Sequence, residues 1–199
     1  LKEDYPQLKN RIVYFETSRG CPYLCSFCLS ALDKTVRYFD DEIIFNQMEN
    51  LINAGVKKFK FVDRTFNLKP GRMKTLMEWL SQFIGSEFHF EVVGDILTPD
   101  ILRFLESVPP GMFQFEIGIQ TTDESVQESI DRKQNNQKLF DTIKTLLVQD
   151  RIHFHCDLIF GLPGENMGQI LNSFREVLSL RPHELQLGFL KFLPGAPIK

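Results

Sequence analysis

Three of the four cysteines lie within eight residues, Cys21-Pro-Tyr-Leu-Cys25-Ser-Phe-Cys28. Thiolates are soft ligands that select iron-sulfur clusters, zinc or copper(I), and spacers of three and two residues let one short loop aim three sulfurs at a single centre. The number three matters. A 4Fe-4S cube takes four ligands, so such a loop leaves one iron for a small molecule, whereas a structural zinc ion wants a fourth protein ligand. His89, His153 and His155 are the candidates for that fourth ligand. Cys156 stands apart from the loop, on the packing parity of a strand-like run with Phe154 and Leu158, and reads as an inert core thiol. This clustering is unlike a disulfide framework, and thiolate ligands suit a reducing compartment.

The loop needs a scaffold that presents it at one end. Residues 11–17 are β-rich and end in Ser18-Arg19-Gly20, so the cysteines follow the carboxyl end of a strand. Residues 29–41 read as loop. Apolar residues at 44, 45, 48, 51 and 52 mark a helix over 41–54, stopped by Gly55. A strand over 58–63 precedes a helix carrying Met73, Leu76, Met77, Leu80, Phe83 and Ile84. Beyond a third strand at 88–93, Thr98-Pro99 opens a helix with a cap and an N1 proline. A fourth strand covers 112–120, and Thr121-x-x-Glu124 has capping-box spacing for a short helix to about Ile130. The next helix shows Leu139, Phe140, Ile143, Leu146 and Leu147. A fifth strand at 152–160, a helix over 167–180 with Ile170, Leu171, Phe174, Val177 and Leu178 inward, and a sixth strand at 184–192 complete six βα steps, less a final helix.

Strands alternating with amphipathic helices imply βαβ units, a parallel sheet, and either a barrel or a doubly wound fold. Neither G-x-G-x-x-G after the first strand nor a P-loop occurs, which removes the main support for a nucleotide-binding doubly wound sheet. About 250 residues is typical of eight units, so six within 199 predict an open, partial barrel. Strand parity agrees. In the fourth strand Gln114, Glu116, Gly118 and Gln120 share one face and Phe113, Phe115, Ile117 and Ile119 the other. The third sets Glu87, His89 and Glu91 against Phe88, Phe90 and Val92. The fifth sets His153, His155 and Asp157 against Phe154, Cys156 and Leu158. An unpaired buried polar group costs about 1–3 kcal/mol, so an inward polar face implies a polar ligand or a satisfied network, and the histidines are read as network members.

With 43% hydrophobic and 25% charged residues, the 199-residue chain fits one globular domain over its whole length, 1–199, expected to be a piece of a longer protein. A formal net charge of −3 with scattered basic residues gives no sign of a nucleic-acid partner. No run approaches the ~18 apolar residues of a membrane span, and the polar start has no signal-peptide core, so a cytoplasmic location is expected.

The cysteine loop, with aromatic Phe27 just before its last cysteine, resembles the signature of the radical S-adenosylmethionine (SAM) superfamily. Phe115-Glu-Ile-Gly-Ile-Gln120 followed by Arg132, and Asp157-Leu-Ile-Phe-Gly-Leu-Pro-Gly-Glu165, are similar to segments of the branch holding oxygen-independent coproporphyrinogen oxidases, methylthiotransferases and cobalamin-dependent members. The resemblance implies an open, six-stranded TIM-type α/β barrel, (β/α)6. It implies a 4Fe-4S cluster on Cys21, Cys25 and Cys28, and SAM contacts at Glu91, Gln120, Arg132 and Asp157. Arg132 would face the SAM carboxylate and Asp157 the ribose, with Glu116 a further ribose candidate and Phe27 and Asp63 near the cofactors. The activity implied is reductive cleavage of SAM to a 5'-deoxyadenosyl radical that abstracts hydrogen from an unknown substrate, with an electron donor such as a flavodoxin or ferredoxin. Where many members carry Gly-Gly-Glu, this chain has Asp63-Arg-Thr-Phe-Asn67, a change that fits the cobalamin-type branch. That branch's Asp-x-His-x-x-Gly motif is absent, so cobalamin is expected only through a domain outside this chain. The alternative is a non-catalytic zinc-binding barrel module.

Overall fold

A computed structural model of the chain describes residues 5–198. Six strands, β1 (Ile12–Phe15), β2 (Lys58–Phe61), β3 (Glu87–Val92), β4 (Phe113–Gln120), β5 (His153–Phe160) and β6 (Glu184–Phe189), form one sheet in sequence order. Every neighbouring pair is parallel. β1 and β6 do not pair with each other, which leaves the barrel open, as six units within 199 residues predict. A four-residue helix, Tyr5–Leu8, precedes β1, and between the strands lie α1 (Asp41–Asn53), α2 (Pro70–Leu80), α3 (Pro99–Leu105), α4 (Glu124–Ser129), α5 (Asn136–Gln149) and α6 (Met167–Leu180).

The core lies between the outer face of the sheet and the helices. Phe59, Phe61, Phe88, Phe90, Phe113, Phe115 and Phe154 are fully buried, one or two on each of β2 to β5, and meet across strands with Phe61 and Phe90 centroids 4.6 Å apart. Each buried ring contributes roughly 1.5–3 kcal/mol of transfer free energy, so this layer fixes the register from which the inner face takes its arrangement.

Local chemistry sets the helix starts. Asp40 accepts from the amides of Glu42 and Ile43 to cap α1, and Thr98 caps α3 ahead of Pro99. Four readings are corrected. The cap of α4 is Asp123, which accepts from Val126 N, and not Thr121, whose buried hydroxyl meets Ser173 Oγ of α6 at 3.2 Å. Among the described residues a capping box forms at α6, Asn166 with Gln169. α2 ends at Leu80, leaving Ile84 76% exposed, and the buried residues of α6 are Ser173 and Val177, with Leu171 and Leu178 exposed. Residues 29–41, read as loop, hold a 3-10 turn (Leu29–Leu32) and one strand of a small antiparallel ribbon, Arg37–Tyr38 against Ser18–Arg19. No helix among the described residues is long and apolar enough to cross a membrane.

Candidate functional site

The cysteine loop leaves β1 through a fixed frame. Asp63, at the end of β2, is 1% exposed and accepts from Thr17 N (2.9 Å), Thr17 Oγ1 (2.6 Å) and Ser18 Oγ (2.6 Å). Gly20 adopts φ +101°, and a Cβ there would collide with the carbonyl oxygen of Thr35, just ahead of the returning ribbon strand, so only glycine fits. The Cys21 amide then donates to Asp33 O (3.1 Å) and the Cys28 amide to Cys25 O (3.0 Å). Cys28 Sγ accepts from Ser30 N at 3.4 Å, at the head of the 3-10 turn. Ser26 N donates to Ile130 O (2.9 Å), while Phe27 packs on Val126, Ile130 and Leu162, which ties the loop to the end of α4. All four cysteines are free.

The three thiols open on one cavity, whose walls are the carboxyl ends of β3, β4 and β5. Phe27, Glu91, Glu116, Gly118, Gln120, Arg132 and Asp157 all line it, so the structure brings together every predicted cofactor residue except Asp63. Both oxygens of Asp63 are committed to Thr17 and Ser18, and it serves as a fastener of the loop rather than part of the wall. Gln120 reaches the cavity through an irregularity: the β4–β5 register shifts between Gly118 and Gln120, and Gln120 takes φ +69°. Its side chain folds back so that a Cβ on Gly118 would lie 2.5 Å from Gln120 Nε2. Arg132 donates through Nη2 to Gly118 O and through Nε to Gln134 Oε1 (3.0 Å), while Nη1 lies 3.9 Å from Cys25 Sγ.

Two cavity-lining acceptors are buried without a hydrogen-bond partner, Gln120 Oε1 and Asp157 Oδ1, the latter having only the His155 ring nitrogen at 3.6 Å. Burial pushes the Asp157 carboxyl up to about 6, against the pull of His155, and burial with the Glu116 charge raises Glu91. Burial also raises the Cys25 thiol, opposed by the Arg132 guanidinium, and drives the core Cys156 up to about 12. Such shifts and orphan acceptors mark a site arranged for a ligand.

Below the cavity the inner face changes character. Glu116 Oε2 accepts from Lys60 Nζ (3.0 Å) and meets His89 Nε2 (3.2 Å) and His155 Nε2 (3.6 Å), and the two imidazoles hold the Glu116 carboxyl far below its ordinary value. His153 pairs instead with Glu184 Oε1 at 2.8 Å. None of these histidines lines the cavity beside the thiols. Reading the sequence alone misses Tyr23, Arg64, Thr65 and Lys133, which also line it. Arg64 and Thr65 follow the carboxyl end of β2, where barrel logic places chemistry, so that signal was present. Tyr23 lies inside the cysteine loop itself, and Lys133 carries no comparable signal.

The family model described as "Radical SAM superfamily" matches residues 15–177. The chain is 27% identical to the cobalamin-dependent radical SAM methyltransferase TokK of Streptomyces tokunonensis over 92% of its own length and 28% of that protein. It is 23% identical to the tRNA-2-methylthio-N(6)-dimethylallyladenosine synthase of Ehrlichia canis, covering 98% of the chain and 47% of the relative. Its fold matches the radical SAM methyltransferase TsrM from Kitasatospora setae, solved with tryptophan and a SAM analog, at TM-score 0.83 and 15% identity, over 98% of this chain and 38% of that one. The chain therefore spans less than half the length of each of these proteins.

Proposed function

The chain belongs to the radical SAM superfamily, whose members use a 4Fe-4S cluster and SAM, and from that premise we propose that its upper cavity holds both. Cys21, Cys25 and Cys28 would bind the cluster, and SAM would lie against β3, β4 and β5. The observation that carries this reading is the meeting, in one cavity, of three free thiols with two partnerless acceptors, Gln120 Oε1 and Asp157 Oδ1. A ligand rich in hydroxyl and ammonium donors, as SAM is, satisfies both acceptors. When bound, the cluster supplies one electron that cleaves SAM to methionine and a 5'-deoxyadenosyl radical, which takes hydrogen from a substrate.

The chain's own residues bind, orient and exclude water. Arg132 has Nη2 and Nε engaged and Nη1 in only a long contact of 3.9 Å to Cys25 Sγ, so Nη1 is the donor it offers to a carboxylate. Asp157 and Gln120 accept from hydroxyl or amino groups, and Glu91 adds negative charge opposite a cationic ligand. Glu116, with Oε2 held by Lys60 and two imidazoles, leaves the ribose to Asp157. Phe27 forms an apolar wall packed on Leu162. A one-electron donor such as a flavodoxin or ferredoxin is the partner this chemistry requires. The named activities of the relatives support methyl or methylthio transfer for the whole protein.

Anaerobic reconstitution tests the reading. About four irons per chain, SAM binding by calorimetry, and 5'-deoxyadenosine above a Cys25→Ala control under strong reductant are expected. A colourless protein with one zinc per chain would sink it in favour of a zinc-binding module.

A further inference from the structure

We propose that His89, Glu116 and His155 form a second metal site, for a divalent transition-metal ion such as zinc, in the barrel interior at the floor of the cavity, which Glu116 also lines. The three residues come from adjacent strands β3, β4 and β5, and their ligand atoms all lie within 4.8 Å of one another. The spacing suits a shared ion. Metal–nitrogen and metal–oxygen bonds of about 2.0–2.2 Å in a tetrahedron separate neighbouring ligand atoms by roughly 3.3–3.5 Å. Glu116 Oε2 lies 3.2 Å from His89 Nε2 and 3.6 Å from His155 Nε2. Two imidazoles and one carboxylate are donors that zinc and iron(II) accept, and they leave a coordination position for water or a substrate atom.

The surroundings favour a cation. The side chains are 17–24% exposed, on the sheet's rigid inner face. Asp157 Oδ1 stands 3.6 Å from His155 Nε2, and Glu91 lies in the same charged neighbourhood. Lys60 Nζ, 3.0 Å from Glu116 Oε2, is the one ammonium at the cluster among the described residues, and it competes with a metal for that oxygen. Lys60 is thus the group whose removal should strengthen metal binding, the opposite of what a mere ion-pair network would show.

The test removes the thiols first, because they bind the same metals. A Cys21→Ser/Cys25→Ser/Cys28→Ser chain is titrated with cobalt(II) and zinc(II). One equivalent is expected, with cobalt d–d absorption and no sulfur-to-cobalt charge transfer. His89→Ala and His155→Ala in that background should each weaken binding at least tenfold, the lower end of what losing even an outer partner of a ligand costs. Lys60→Met should tighten it. Should the triple variant fail to fold, the wild-type chain gives the same readout as a second equivalent lacking the sulfur band. No such equivalent, or one indifferent to both histidine substitutions, overturns the proposal. Neither outcome touches the cluster reading, since no cysteine takes part.

Discussion

The two faces of the sheet are built from the same strands and do opposite jobs. On β4, Phe113, Phe115, Ile117 and Ile119 point outward and are 0% exposed, while Gln114, Glu116, Gly118 and Gln120 point inward and are half-buried. The outer face satisfies itself by close packing. The inner face pairs Glu116, Lys60 and its histidines among themselves but leaves Gln120 Oε1 and Asp157 Oδ1 without a hydrogen bond towards its carboxyl end, so these two acceptors are open to a bound donor. Strand period alone divides stability from chemistry, and the division is breakable at single residues.

The largest effect is expected at the loop that crowns the inner face. Cys21→Ala, Cys25→Ala or Cys28→Ala should each abolish iron retention after reconstitution, whereas Cys156→Ala, on the outer face and 0% exposed, should keep full iron. Iron analysis decides, and loss in the Cys156 variant with the fold intact would break the contrast.

On the outer face, Phe115→Ala should cost about 3–5 kcal/mol in urea unfolding, because it opens a cavity among Phe90 and its neighbours. The fraction that stays folded should bind SAM with unchanged affinity. A weakened affinity there would mean that packing and site are not separable.

Arg132→Ala acts the other way. Losing a charge-assisted bond worth roughly 1.5–3 kcal/mol should weaken SAM binding about tenfold or more by calorimetry, with iron content unchanged.

The smallest effect concerns Asp157 in the cofactor-free chain. Its folded pKa, about 6, lies above the ordinary 3.8, so its stabilising contribution is full below about pH 4 and is lost as pH rises through about 6. Asp157→Asn should therefore raise stability at pH 7–8, by about 1 kcal/mol after allowing for its His155 partner, and the gain should vanish near pH 4. Thermal melts across that window, beside SAM affinities that fall in the same variant, would show stability and binding drawing on one carboxylate. A gain that persists at pH 4 would contradict it.

Much of this was readable from the chain itself. The alternation of strands and helices, the inward parity of Glu91, Glu116 and Asp157, and the cysteine triad all follow from periods of 2 and 3.6 residues and from spacing within one loop. These are local properties, and a sequence states them directly. Tertiary structure alone decided which inward groups have partners. Asp63 is taken by Thr17 and Ser18, Glu116 by Lys60, His89 and His155, and Arg132 in part by Gly118 O. It also decided that Gln120 enters the cavity through a left-handed turn at a register shift. Period fixes the face a side chain takes, but its neighbours depend on the register of strands distant in sequence, set by the phenylalanine packing on the opposite side.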